Sequence, residues 1–360
     1  MTKRLLELDV LRCLAIILVM FRHFHVSEPL TRAGWIGVDL FFVLSGFLVS
    51  GLIFYEFQNK GKIDGSTFLI RRGLKIYPVF YFVLIIHIIY FFYKGFPITW
   101  QQILTELLFI QNFQLGIIGI SWTLAIEEHF YLILLLFSKL AIRFNYITKQ
   151  SAVLAFCTSI LLFCLLFRLF LGYSQPFDEW SHFFPTYLRL DSLFSGVMIS
   201  WVYHFKRNAF NDVVKSRSLL LILLVLCGPA MAIIYNLSEF PMFTFGLTLL
   251  YLSFGSLLCL LLFYRLPNNL AFKTIAFVGK HSYAIYLIHV LVGPGVANYF
   301  KVNLYNQAHP YILAAVSFLA NIVAGILISL SVESYFLRLR EKYFPKANKM
   351  SRKTELLQTV

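Results

Sequence analysis

The sequence predicts an all-α fold, a polytopic bundle of transmembrane helices, and three observations carry that prediction. Hydrophobic residues make up 59% of the 360-residue chain and charged residues only 13%, far from the balance of a soluble domain. Ten apolar runs approach the length needed to cross a hydrocarbon layer, about 20 residues each. The Lys and Arg residues gather in short clusters at the ends of those runs, where they read as topology determinants. The net charge of +14 therefore does not point to nucleic acid, which calls for a basic face or stripe.

The runs fall at Leu8 to Val26, Trp35 to Tyr55, Tyr77 to Tyr93, Trp122 to Leu140, Ala152 to Leu171 and Thr186 to Phe205. Leu219 to Tyr235, Met242 to Tyr264, Ser282 to Asn298 and Tyr311 to Phe336 follow. With Lys3 and Arg4 inside, the loops carrying Lys60 and Lys62, Arg143 and Lys149, Lys206 to Arg217 and Arg265 to Lys280 all lie on that same side. The opposite side holds little beyond Lys94 and Lys301. Cytoplasmic loops carry the excess of Lys and Arg, so the asymmetry predicts ten spans with both termini cytoplasmic. Residues 1–345 read as a single membrane domain, and 346–360 as a basic cytoplasmic tail of disordered composition.

Two features qualify this pattern. From Gly95 to Ile120 the chain is only semi-apolar, with Pro97, Gly116 and Gly119, which suits a long outer loop or a re-entrant piece better than a span. The first run lacks a small-residue cleavage site and reads as a retained helix. The five cysteines lie inside apolar runs without metal-ligand spacing, so no metal is expected. Nothing in the sequence sets the oligomeric state.

Polar residues inside the runs are the candidates for function, because an ionisable group in a span costs at least a few kcal/mol. The first run carries Asp9, Arg12, Arg22, His23 and His25. Eleven helical positions separate Arg12 from His23, which places them within about 20° around the axis and about 16 Å apart along it. His25 points away from that face, so His23 is the better catalytic candidate; the plainer alternative pairs Arg12 with Asp9. Asp39 in the second run lies at about the depth of His23. It either orients that imidazole or simply complements a helix N-terminus. Arg71, Arg72 and Lys75 form a basic turn that suits a phosphate-rich ligand or ordinary positive-inside anchoring.

The fourth run opens with Ser121-Trp122-Thr123 and carries Glu127 and Glu128, adjacent carboxylates that packing does not explain. Glu127 shares a face with Tyr131. Arg189 and Asp191 either grip a polar acceptor or pair with charges on neighbouring spans. Tyr283 and Tyr286 read as belt residues at the membrane interface, and His289, deeper in its run, is a weaker second candidate for chemistry.

The number and order of these motifs resemble the acyltransferase-3 family of bacterial integral membrane acyltransferases, whose members modify sugars of surface polysaccharides, Nod factors and macrolides. The spacing from Arg12 to His23 is similar to the family's R-x10-H signature, and Gly37 to Phe47 resembles G-V-D-x-F-F-x-x-S-G-F. Arg71 to Pro78 resembles R-R-x-x-R-I-x-P, and Ser121 to Tyr131 resembles S-W-S-L-x-x-E-x-x-F-Y. The stretches around Arg189 and Asp191 and from Ser282 to His289 resemble weaker late motifs. Lys75 replaces the usual Arg, keeping the charge but losing a bidentate fork, and Thr123 replaces a Ser.

The resemblance implies a multi-pass enzyme of the bacterial inner membrane, with no resident cofactor and with acyl-CoA, expected to be acetyl-CoA, as co-substrate. Its phosphates are expected on Arg71, Arg72 and Lys75 with Arg12, and its thioester beside His23, either as general base for direct attack by the acceptor hydroxyl or as the carrier of a covalent acyl intermediate. Glu127 and Asp39 are expected to orient His23 or to hold the acceptor. Trp122, Tyr131, Arg189 and Asp191 are expected at a carbohydrate or lipid-linked glycan acceptor. The chain stops soon after the tenth run, so this membrane domain is expected to handle the acceptor without a fused esterase-like domain. A proton-coupled transporter or flippase is the rival reading; it predicts paired interrupted spans in two related halves, which the sequence does not show. A membrane sensor or scaffold, the third reading, leaves the Arg12/His23 and Glu127 faces without a use.

Overall fold

A computed structural model describes residues 5–24, 26–303 and 310–345. His25 and the 346–360 tail lie outside the described residues. Each of the ten apolar runs falls on a helix, and we number these α1 (Leu6–Phe24), α2 (Gly37–Lys60), α3 (Gly65–Lys94), α4 (Trp122–Arg143), α5 (Gln150–Ser174), α6 (Leu190–Phe205), α7 (Ser218–Ile234), α8 (Leu247–Tyr264), α9 (Ser282–Asn303) and α10 (Pro310–Ile328). Among the described residues all regular secondary structure is helical.

Five stretches are long and apolar enough to cross a membrane by those measures alone: Glu28–Lys60, Gly65–Lys94, Gln150–Ser174, Met242–Tyr264 and Tyr311–Tyr343. The number rises to seven if two bent pairs each count as one span, Arg207–Ser216 with Ser218–Ile234 (78°) and Leu270–Lys280 with Ser282–Val296 (67°). The remaining helices of the expected ten fall short for physical reasons. Charges interrupt α1 (Glu7, Asp9, Arg12, Arg22) and α4 (Glu127, Glu128, Lys139, Arg143), and α6 has 16 residues.

Local chemistry sets the helix ends. Glu7 and Asp9 in the first turn of α1 and Arg22 and His23 in its last turn complement the helix dipole. Asp64 caps α3 by accepting from the Thr67 amide at 3.1 Å and its hydroxyl at 2.6 Å. Those bonds, with one from Ser66, hold its carboxyl at about 2, below the ordinary carboxylate range.

A close crossing joins α2 to α6. A Cβ added at Gly46 would lie 1.9 Å from the Leu193 carbonyl oxygen, and one at Gly196 would lie 2.2 Å from that of Val43, so only glycine permits this approach. Two ion pairs reinforce it. Arg189 meets Asp39 at 2.8 Å, and Arg168 of α5 meets Asp191 at 2.7 Å, all four side chains having 1% exposure or less. Around this centre α1 packs on α2 and on the helix Leu270–Lys280, α7 on α8, and α9 on α10.

The semi-apolar segment before α4 is an ordered loop with a short helix of its own. Its helix Trp100–Leu107 starts in a capping box of Thr99 and Gln102. Glu106, fully buried, accepts from the amides of Ile117 and Ile118 at 2.8 Å each and from the Ser121 hydroxyl at 2.9 Å. One carboxylate thereby folds the loop back and fixes where α4 begins.

Candidate active site

A cavity of about 900 Å³, counting its open mouth, lies where α1, α2, α3, α4 and α9 meet. Four cations line it: Arg12 from α1, Arg72 and Lys75 from α3, and Lys280 from the helix preceding α9. Glu127 and Glu333 are the carboxylates that face them. Arg72 and Lys75 reach one space because residues three apart share a helix face. The same rule at a spacing of four brings Thr123, Glu127 and Tyr131 of α4 to the cavity wall. Val38, Phe41, Leu44 and Leu48 of α2 supply an apolar wall.

Hydrogen bonds order the polar wall. The Tyr131 hydroxyl donates to Glu127 at 2.8 Å and lies 3.3 Å from Ser45 Oγ, while the Arg72 guanidinium sits 5.5 Å above the Tyr131 ring. Tyr286 donates to the Ile120 carbonyl at 3.0 Å and contacts Thr123 Oγ1 at 2.9 Å. Tyr283 donates to the Ile76 carbonyl at 2.8 Å. Both tyrosines line the cavity, a correction to their reading as belt residues: their side chains turn inward, and their hydroxyls find partners on α3 and at the start of α4. Glu128, one residue past Glu127, turns to the Tyr77 hydroxyl at 2.9 Å.

The structure thus brings Arg12, Arg72, Lys75, Glu127 and Tyr131 to one space. Arg12 keeps the short-range partner its sequence suggests, Asp9 at 3.7 Å. Arg71 points elsewhere, to Glu341 at 2.8 Å and to the Phe344 carbonyl, and so ties α3 to the helix Ser334–Tyr343. Asp39 accepts from Arg189 at 2.8 Å and from Ser192 at 3.1 Å, and Asp191 is taken up by Arg168. Trp122 is buried in an aromatic cluster, with its ring centroid 4.9 Å from Phe184 and 5.3 Å from Phe183.

His23 is exposed near the end of α1. Its ring lies 4.8 Å, centroid to centroid, from that of fully buried His289. His289 in turn lies 5.5 Å from the ring of Tyr286 on the cavity wall. A continuous line of side chains therefore runs from the cationic cavity through Tyr286 and His289 to His23. Lys280 and Glu333 are cavity residues that sequence reasoning passed over. Lys280 counts there as one more loop charge, and Glu333 lies near the end of a run whose only other signal is hydropathy.

The acyltransferase domain of the acyltransferase-3 family matches residues 5–333. The chain belongs to that family. It is similar to a putative peptidoglycan O-acetyltransferase of Bacillus subtilis, 25% identical over 311 residues that cover 78% of this chain and 47% of that protein. The peptidoglycan O-acetyltransferase of Listeria monocytogenes is 27% identical over 312 residues, 79% of this chain and 48% of that one. A putative O-acetyltransferase of Staphylococcus aureus is 27% identical over 329 residues, 81% and 51%. The chain spans about half the length of these curated relatives. No solved structure matches it.

Proposed function

We propose that this acyltransferase-3 protein moves an acetyl group from cytoplasmic acetyl-CoA to a hydroxyl of a surface glycan of the peptidoglycan type. In this reading it crosses the bacterial inner membrane ten times with both termini in the cytoplasm, as the loop charges indicate. The names of its relatives support the acetyl group and the glycan. The observation that carries the donor is the cavity: four cations converge where two carboxylates face them, an excess of positive charge suited to the phosphates of a coenzyme A thioester. Acetyl-CoA is a co-substrate here, and the scheme needs no resident cofactor.

Arg12, Arg72, Lys75 and Lys280 hold the phosphates, and Arg71 joins them when it leaves Glu341. The pantetheine arm extends past Tyr286 along the apolar wall. The acceptor reaches His23 from the opposite end of α1, about 16 Å from Arg12 along the axis, where His23 is exposed. His23 takes the proton of the acceptor hydroxyl as its oxygen attacks the thioester carbonyl. The new C–O bond forms, the C–S bond breaks, and the departing coenzyme A thiolate is protonated to the thiol. Glu127, oriented by Tyr131, holds acceptor hydroxyls, and Trp122 backs the sugar from its aromatic cluster. Asp39, Arg189 and Asp191, committed to buried ion pairs, serve by fixing α2, α5 and α6 around the site.

The test follows radiolabelled acetyl from acetyl-CoA into glycan in membranes that contain the protein. Label in glycan with the parent chain, and its loss with His23→Ala at equal protein level, is the expected result. Full labelling by His23→Ala would remove His23 from the chemistry, and absence of label with the parent chain would remove the donor. The transporter and flippase reading is not favoured, because the family match covers nearly the whole chain.

A further inference from the structure

A histidine that acts as general base needs a neighbour that sets which ring nitrogen is free and steadies the imidazolium once the proton has arrived. In the sequence Asp39 is the candidate for that task. In the structure its carboxylate serves Arg189 and Ser192, while the ring that meets His23 is His289, at 4.8 Å and an interplanar angle of 66°.

The environment of His289 fixes its hydrogen bonding. The side chain has no exposure, and its Nδ1 lies 2.5 Å from the main-chain carbonyl oxygen of Tyr286. A carbonyl only accepts, so Nδ1 carries the proton and Nε2 of the neutral ring carries the lone pair. That Nε2 has no hydrogen-bond partner among the described residues, which is uncommon for a buried polar atom. At the observed ring separation, two facing ring nitrogens come within hydrogen-bond reach. His289 is held by burial and by Tyr286, whereas His23 is exposed at the helix end.

We propose that His289 is a positioning residue for His23: its Nε2 accepts the N–H of His23, selects the tautomer whose other nitrogen faces the acceptor, and stabilises the imidazolium formed during transfer. The proposal rests on the reading of His23 as general base. No atom passes to His289; the acceptor's proton stays on His23 until the leaving thiolate takes one up. The contact of His289 with Tyr286, itself on the cavity wall, places the imidazole pair where the thioester end of a donor in the cavity arrives.

The test compares variants of the full chain, purified in detergent and matched for folded protein by size exclusion, with radiolabelled acetyl-CoA and isolated peptidoglycan. His289→Phe fills the site without a lone pair; kcat is expected to fall roughly 10- to 100-fold, as when a histidine loses its orienting partner, with KM for acetyl-CoA within about twofold of the parent. His289→Gln can donate to the Tyr286 carbonyl and offer its own oxygen to His23, so it recovers most of the lost kcat. A merely structural His289 would lower the yield of folded protein, leave kcat per folded molecule unchanged and show no such recovery. Unchanged kcat in His289→Phe, or equal impairment of the Phe and Gln variants, overturns the proposal. Should the Phe variant not fold, added imidazole with His289→Ala decides the matter: restored kcat supports positioning, and no restoration opposes it. If His23→Ala is inactive while His289→Phe is fully active, only this inference fails. An active His23→Ala removes the underlying mechanism as well.

Discussion

Replacing Asp39 by Leu separates a structural carboxylate from a chemical one. Asp39 and Arg189 are both fully buried, 2.8 Å apart, and the guanidinium is flanked by the Phe183 ring at 4.5 Å and the Phe42 ring at 5.6 Å. Without Asp39 the arginine keeps a buried charge among aromatic rings, and the Ser192 hydroxyl loses its acceptor. Breaking a buried pair in this way costs about 3–5 kcal/mol, or roughly 10²- to 10⁴-fold in the ratio of folded to unfolded protein at about 1.4 kcal/mol per decade. Removing both charges, with Asp39→Leu and Arg189→Met together, avoids the orphan charge, so the double variant is expected to be far more stable than either single one. The assay pairs thermal unfolding in detergent with acetyl transfer per folded molecule. Asp39→Leu should lose its folded state, and the double variant should regain both folding and transfer. An Asp39→Leu protein with the parent's unfolding midpoint but no transfer, or a well-folded double variant without transfer, would refute the reasoning and return Asp39 to the chemistry.

Three further outcomes follow from the same geometry. Lys280→Gln removes one cavity cation and should raise KM for acetyl-CoA about tenfold or more, the weight of a charged hydrogen bond, while leaving KM for S-acetylpantetheine, which lacks the nucleotide phosphates, nearly unchanged; equal effects on both donors would exclude a phosphate contact. Glu341→Gln removes the ionic half of the hold on Arg71, leaving its bond to the Phe344 carbonyl; because a solvent-accessible pair is worth at most about 1 kcal/mol, KM for acetyl-CoA should fall by up to about fivefold with little change in thermal midpoint. Gly46→Ala would place a Cβ 1.9 Å from the Leu193 carbonyl oxygen, an overpacking cost of about 3 kcal/mol or more, and should abolish the monodisperse folded peak on size exclusion; a normal peak would show that α2 and α6 separate easily.

Local features of the chain are legible in its residues alone. Hydropathy marks all ten apolar runs, and each is helical in the structure, because a buried backbone in lipid satisfies its own hydrogen bonds as a helix. The candidate site residues are visible for the same reason, since Arg12, His23, Glu127 and their like stand out against an apolar background. Spacing also fixes which residues share a face, as with Arg72 and Lys75. Tertiary structure decides which way each face turns and what it meets. Arg71 and Arg72 are neighbours in sequence, about 100° apart around the axis, and one goes to Glu341 while the other enters the cavity. Asp39, at the expected depth of His23, goes to Arg189 because α6 crosses α2 at the Gly46 and Gly196 contact, and His289 stands beside His23 instead. Periodicity gives angles within one helix but carries no zero for them; that reference comes only from close packing between helices.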